Sequence, residues 1–318
     1  MWHILQQIQK RLIVAIPVLM LAGIAFGYFS DASFLKVTII PLTFFMVYPM
    51  MVNLQVENIL QGGGFKLQLT AQAINFLIIP FVAFFLGTTF FAGSPAIIIG
   101  LLLAALLPTS GMTISWTGFA KGNMGAAIKM TVIGLILGSL AAPLYIKLLA
   151  GTSIQIPVMK IFWQIILIVF LPMVVGVITR KAIIYRIGTA GFNNKFKNKF
   201  PLISTIGVLG IVFVAMALKA KDITSDPNLI FKILIPLVVI YSINYLVSTL
   251  VGKLFFNRED AIALVYGTVM RNLSIALAIA MTAFSEQGAE IAIVVALAYI
   301  IQVQSASWYM KFTNKIFV

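Results

Sequence analysis

The chain has 318 residues, of which 61% are hydrophobic and only 9% charged. A soluble domain carries about 25% charged residues, so this composition excludes a water-soluble fold and leaves the bilayer as the solvent. The net charge of +14 would suit a nucleic-acid partner in a soluble protein. Here the cations lie mainly between apolar runs, where they read as topology signals and contacts to membrane lipids, so no nucleic acid is expected.

Cysteine is absent, which excludes disulfides and thiolate chemistry. The lone His3 stands at the N-terminus and makes no metal site, and neither metal nor cofactor is expected. Lys10 and Arg11 precede an apolar run long enough to span, without a small-residue cleavage pattern, so no cleaved leader is expected.

A spanning helix needs roughly 20 mostly apolar residues. Ten segments qualify: 12–29, 37–54, 67–91, 96–119, 124–149, 161–179, 202–218, 229–255, 261–284 and 289–309. The connections are short except for the basic stretch from Arg180 to Lys199. With the N-terminus inside, fourteen Lys and Arg lie at inner ends and six at outer ends. That bias places both termini in the cytoplasm, as an even span count requires. The prediction is an all-α multi-pass protein of a bacterial or archaeal inner or plasma membrane.

Residues 94–123 align with 259–288: Ala96-Ile97 meets Ala261-Ile262, and Phe119 meets Phe284. Upstream, Pro41-Leu42 resembles Pro201-Leu202. The halves are then 1–155 and 156–318. Five spans is an odd number, so the second half enters from the opposite side. The reading is a pair of inverted five-helix repeats, a common plan for alternating-access carriers.

Such carriers bind solute near the midplane, where helices unwind. The fourth span contains Leu107-Pro108-Thr109-Ser110-Gly111-Met112-Thr113, with a helix breaker and three hydroxyls. The ninth contains Gly267-Thr268-Val269-Met270-Arg271-Asn272-Leu273-Ser274. Arg271 falls about eleven residues from either end of its span, where an arginine costs roughly 2.5–3.5 kcal/mol. Such a residue faces a cavity, a partner or a ligand. Thr109, Ser110, Thr113, Arg271, Asn272 and Ser274 are therefore the candidate substrate-binding residues, and the guanidinium points to a small anionic solute.

Lys129, in the fifth span, either snorkels to the interface or faces inward near the fourth-span break. Asn75, Asn244, Gln302 and Gln304 either line a cavity or join helices. Trp116, Trp163 and Trp308 read as packing or interfacial anchors. Glu57, Glu259, Asp260, Glu286 and Glu290 fall at ends or in loops, so no span offers a carboxylate relay. No paired carboxylates or nucleophile–base set suggests an enzyme.

At these residues the chain resembles the bile acid:sodium symporter superfamily, which includes the arsenite permeases. Leu107–Thr117 followed by Phe119-Ala120-Lys121-Gly122-Asn123 is similar to the fourth-span region of both branches. Asn75–Pro80 resembles the third span of arsenite permeases, and Met270-Arg271-Asn272 with Ala276-Leu277-Ala278 resembles the ninth-span crossing. The resemblance implies ten helices in two parts: a panel of about 10–55 and 158–221, and a core of about 65–150 and 229–312. It implies discontinuous fourth and ninth helices that cross at the midplane, with substrate between core and panel.

Departures from the family pattern matter as much. Thr109 stands where arsenite permeases carry cysteine. The sodium-ligating Glu, Gln and Asn of bile-acid-type symporters align with Gly267, Arg271 and Ile114. Thr131 and Thr113 remain, and Thr268 neighbours the lost Glu. Lys129, Thr131, Gly267, Thr268 and Arg271 are thus equivalents of a cation site that looks dismantled, and the coupling ion is in doubt. The expectation is a secondary transporter of a small or amphipathic organic anion, sodium-independent, working as a monomer or weak homo-oligomer. The alternatives are cysteine-free arsenite or metalloid efflux and sodium-coupled symport of the bile-acid type. An anion sensor that carries nothing is the reading from outside transport.

Overall fold

The computed structural model describes residues 2–54, 64–151, 158–284 and 287–317. Glu57 and Glu286 lie outside these described residues. Apolar runs of spanning length drive the secondary structure: seven helices are long and apolar enough to cross a membrane. They cover 33–52, 65–91, 124–150, 161–195, 199–218, 228–255 and 288–316. Three shorter apolar helices occupy 14–29, 95–106 and 273–283, where the first, fourth and ninth spans were predicted. The chain is a multi-pass membrane protein.

A helix lies outside the predicted spans, and one predicted connection changes. A short helix, α1 (Trp2–Lys10), precedes α2 (Leu12–Phe29). The stretch from Arg180 to Lys199, predicted as a connection, is mostly helix. The helix α10 (Leu171–Lys195) runs through it, with one non-helical residue at Gly188 (φ 71°). Nothing between Arg180 and Ile187 breaks a helix, and Arg180 is buried with its guanidinium 5.4 Å over the Phe192 ring. Polarity ended the predicted span, but polarity does not end a helix.

The chain forms two compact units. The first comprises residues 1–54, 159–230 and 274–296. Within it, α11 (Lys199–Leu218) packs against α2 and α3 (Ile39–Val52), α10 packs against α3, α12 (Ala220–Ser225) packs against α2, and α9 (Val158–Ile165) precedes α10 in the chain. The Ser204 hydroxyl donates to the Met46 carbonyl, and Tyr48 and Thr179 share a hydroxyl–hydroxyl bond of 2.9 Å. Such bonds tie helices where apolar contact alone gives no preference over lipid.

The second unit comprises residues 55–158, 231–273 and 297–318. It contains α4 (Phe65–Ala73) and α5 (Ile79–Phe91), joined through a π-helical turn at Ile74–Ile78. It also holds α6 (Pro95–Leu106), α7 (Gly111–Phe119), α8 (Met124–Ala150) and most of α13 (Asn228–Phe255). With them are α14 (Arg258–Val269) and the later part of α16 (Gly288–Ile316). Every residue from Ala96 to Leu106 on α6, and from Ala261 to Val269 on α14, is buried. Phe65, Phe85, Leu144, Leu148 and Leu254 are exposed instead. An exposed apolar rim on helices that satisfy their own backbone is what a bilayer demands.

Asparagines start two of these helices. Asn123 Oδ1 accepts from Ala126 N at 2.9 Å ahead of α8, and Asn257 Oδ1 accepts from Asp260 N at 2.9 Å ahead of α14. Asn123 Nδ2 also donates to Asp260 Oδ1 at 2.7 Å, binding the two helix starts together.

Candidate functional site

The fourth span is broken by its own residues. Pro108 has no N–H and disfavours helix at Leu107, which takes φ −106° and ψ 80°. Thr109 follows at φ 64°, a left-handed conformation costly for a β-branched side chain. Four hydrogen bonds offset that cost. Thr109 N donates to the Met270 carbonyl at 2.7 Å. Its hydroxyl is shared among the carbonyls of Pro108 at 2.6 Å and of Met130 and Thr131 at 3.3 Å. Gly134 and Gly138 on α8 admit this backbone: a Cβ at Gly134 would stand 2.6 Å from Thr109 Oγ1, and one at Gly138 would stand 2.8 Å from Pro108 Cδ.

Helix α7 then restarts under a capping box. Ser110 Oγ accepts from Met112 N at 3.2 Å, and Thr113 Oγ1 accepts from Ser110 N at 3.1 Å. Ser110 and Thr113 thus cap the helix start, each keeping its hydroxyl proton to donate, and the Thr109 hydroxyl donates at the break.

The ninth span is broken by its neighbours. It has no proline, so a continuous helix would bond Arg271 N to Gly267 O and Asn272 N to Thr268 O. All four groups go elsewhere. Asn75 Nδ2 donates to Gly267 O at 3.1 Å, and Asn244 Nδ2 to Thr268 O at 2.9 Å. Arg271 N donates to Gln302 Oε1 at 2.7 Å, and Asn272 N to Leu107 O at 2.7 Å. Gln302 Nε2 returns a bond to Arg271 O at 3.2 Å, and Tyr241 OH donates to Gln302 Oε1 at 3.0 Å.

The two breaks therefore cross and pair. Pro108 and Arg271 form an antiparallel bridge, with Thr109 N to Met270 O on one side and Asn272 N to Leu107 O on the other. Sequence reasoning left Asn75, Asn244 and Gln302 open between cavity lining and helix joining. Their shared signal was an amide far from any helix end.

Arg271 is 3% exposed, and neither Nη1 nor Nη2 has a hydrogen-bond partner among the described residues. Asn272 is buried beside it in sequence. Ser274, in the first turn of the next helix (Leu273–Ala283), is also buried and falls in the first unit.

Two of the cation-site equivalents, Thr131 and Thr268, donate to backbone carbonyls one turn away. Thr131 Oγ1 donates to Ala127 O at 2.8 Å. Thr268 Oγ1 bonds the carbonyls of Leu264 and Val265 and meets Ser248 Oγ at 2.6 Å. Gly267 leaves room for Met130, whose sulfur a Cβ there would strike. Lys129 is half-buried on α8. Among the described residues, no three His, Cys, Asp or Glu cluster to hold a metal.

The profile of the Sodium Bile acid symporter family matches residues 40–226. The chain belongs to that family. Its relatives include the uncharacterized transporter slr0944 of Synechocystis, 27% identical over 79% of this chain and 72% of the relative. The arsenical-resistance protein Acr3 of Alkaliphilus metalliredigens is 23% identical over 73% of this chain and 71% of its own. The sodium/bile acid cotransporter 7 of Xenopus tropicalis is 26% identical over 55% and 51%. Family and relatives together make this chain a transporter.

Proposed function

We propose that this transporter carries a small or amphipathic organic anion by alternating access, and that Arg271 grips it. The observation behind this is the buried guanidinium beside the crossing, two of whose nitrogens have no partner among the described residues. Its planar fork suits two parallel bonds to a carboxylate or sulfonate. The start of α7, one residue beyond the bridge loop, adds its positive helix end.

Transport proceeds without sodium in this reading. Gly267 has no side chain to ligate an ion, and Arg271 and Lys129 bring fixed positive charge. Uptake into proteoliposomes with and without a sodium gradient tests this; a strict sodium requirement overturns it. For the anion itself, a thermal-shift screen of carboxylates, sulfonates and oxyanions should find stabilising ligands whose effect vanishes in Arg271→Ala.

Similarity to Acr3 favours a second reading, metalloid efflux. The absence of cysteine and the commitment of the Thr109 hydroxyl to three carbonyls weigh against it. Rescue of arsenite tolerance in a host stripped of arsenite pumps would establish it instead.

A further inference from the structure

We propose that the transporter is an exchanger: only the anion-loaded form crosses, so uptake of one organic anion is tied to release of another. This rests on Arg271 being the anion ligand. A guanidinium keeps its charge at physiological pH. At Arg271 that charge is shielded from solvent, with no acceptor for Nη1 or Nη2 among the described residues.

The described groups that bond the crossing supply no counter-charge. Gln302 Oε1 is already shared by Arg271 N and Tyr241 OH, and Gln302 Nε2 is a donor. Asn75 and Asn244 direct their amide nitrogens to the carbonyls of Gly267 and Thr268. The described carboxylates of this unit stand at a helix start: Asp260 bonds Asn123 and Asn257, and Glu259 precedes it in the first turn of α14. Lys129, half-buried on α8, adds positive charge.

Among the described residues nothing else neutralises the guanidinium, which leaves that task to an incoming anion. A passage through the closed form with the charge unmatched is disfavoured by roughly two orders of magnitude, the cost of a lone arginine at mid-membrane. Binding of the anion removes that penalty on the outward and the return journey alike, which couples them.

The test uses proteoliposomes of the whole protein and two labelled probes run separately, taurocholate as an amphipathic sulfonate and benzoate as a carboxylate. The lumen holds either the unlabelled probe or chloride alone. For a probe that is carried, initial uptake should be at least about tenfold faster with the organic anion inside. Equal rates with chloride alone would overturn exchange while leaving the anion reading intact. Failure of both probes to enter under either load would overturn the anion reading and exchange with it. Gln302→Glu introduces a carboxylate at the side chain that bonds the Arg271 backbone, and this fixed negative charge should bring the two loads to within about twofold of each other. An unchanged tenfold ratio in that variant would refute charge compensation as the cause; the wild-type comparison stands whether or not the variant folds.

Discussion

Gln302 bonds both backbone polar groups of Arg271, accepting from its N–H at 2.7 Å and donating to its carbonyl at 3.2 Å. The side-chain amide thereby stands in for a neighbouring strand next to the Pro108–Arg271 bridge. Gln302→Leu should strand both backbone groups in a buried site and destabilise the protein by about 2–4 kcal/mol. Unfolding titrated with SDS in mixed micelles measures this, and a loss below about 1 kcal/mol would mean the clamp is dispensable.

Removal of the charge should act in the opposite direction. With no ligand added, Arg271→Met should be neutral or more stable than the wild type by about 1–3 kcal/mol, because a buried unpaired cation is replaced by an apolar chain of similar length. The same variant should gain nothing from any anion in a thermal-shift assay. Arg271→Lys keeps the charge but loses the fork, and should bind carboxylates at least about tenfold more weakly.

The approach of the fourth-span break to α8 is equally testable. Gly134→Ala would place a Cβ 2.6 Å from Thr109 Oγ1, and Gly138→Ala one 2.9 Å from the Leu106 carbonyl. Each should cost about 1–3 kcal/mol by overpacking. Gly111→Ala meets nothing within 4 Å and should be tolerated, with a stability change within about 1 kcal/mol.

Asn75 and Asn244 serve adjacent carbonyls of one helix end. Asn75→Leu and Asn244→Leu should each cost about 1–3 kcal/mol through an unmet buried carbonyl. Both side chains act on one turn, so the double variant should deviate from additivity by at least about 0.5 kcal/mol. Strict additivity would mean that the two amides act independently.

Much of this architecture was legible in the chain because apolar length is a strong signal. Ten predicted segments fell on seven long apolar helices and the shorter ones near them. Pro108 announced the fourth-span break, since its missing donor is written into the residue itself. The ninth-span break was flagged by Arg271, yet its cause was not readable. It depends on Asn75, Asn244 and Gln302, which reach it from positions 192, 24 and 31 residues away. An amide in a span signals that something polar is nearby, and only the fold says what. The helix beyond Arg180 was missed for a related reason: hydropathy marks where a bilayer ends, not where backbone hydrogen bonding does.

The bond from Asn272 N to Leu107 O joins groups made 165 residues apart. At about 5–20 residues per second, a ribosome needs roughly 8–33 s to cover that interval. Throughout it, the Leu107 carbonyl and the Thr109 N–H lack their final partners in a hydrophobic setting. The fourth span is therefore threaded into the membrane unfinished, and it is completed only as the ninth emerges. Truncation or slowed synthesis between the two spans should leave a nascent chain that insertion and quality-control machinery must hold. Substitutions that weaken the crossing should lower the yield of mature protein in cells before they alter how the finished protein works.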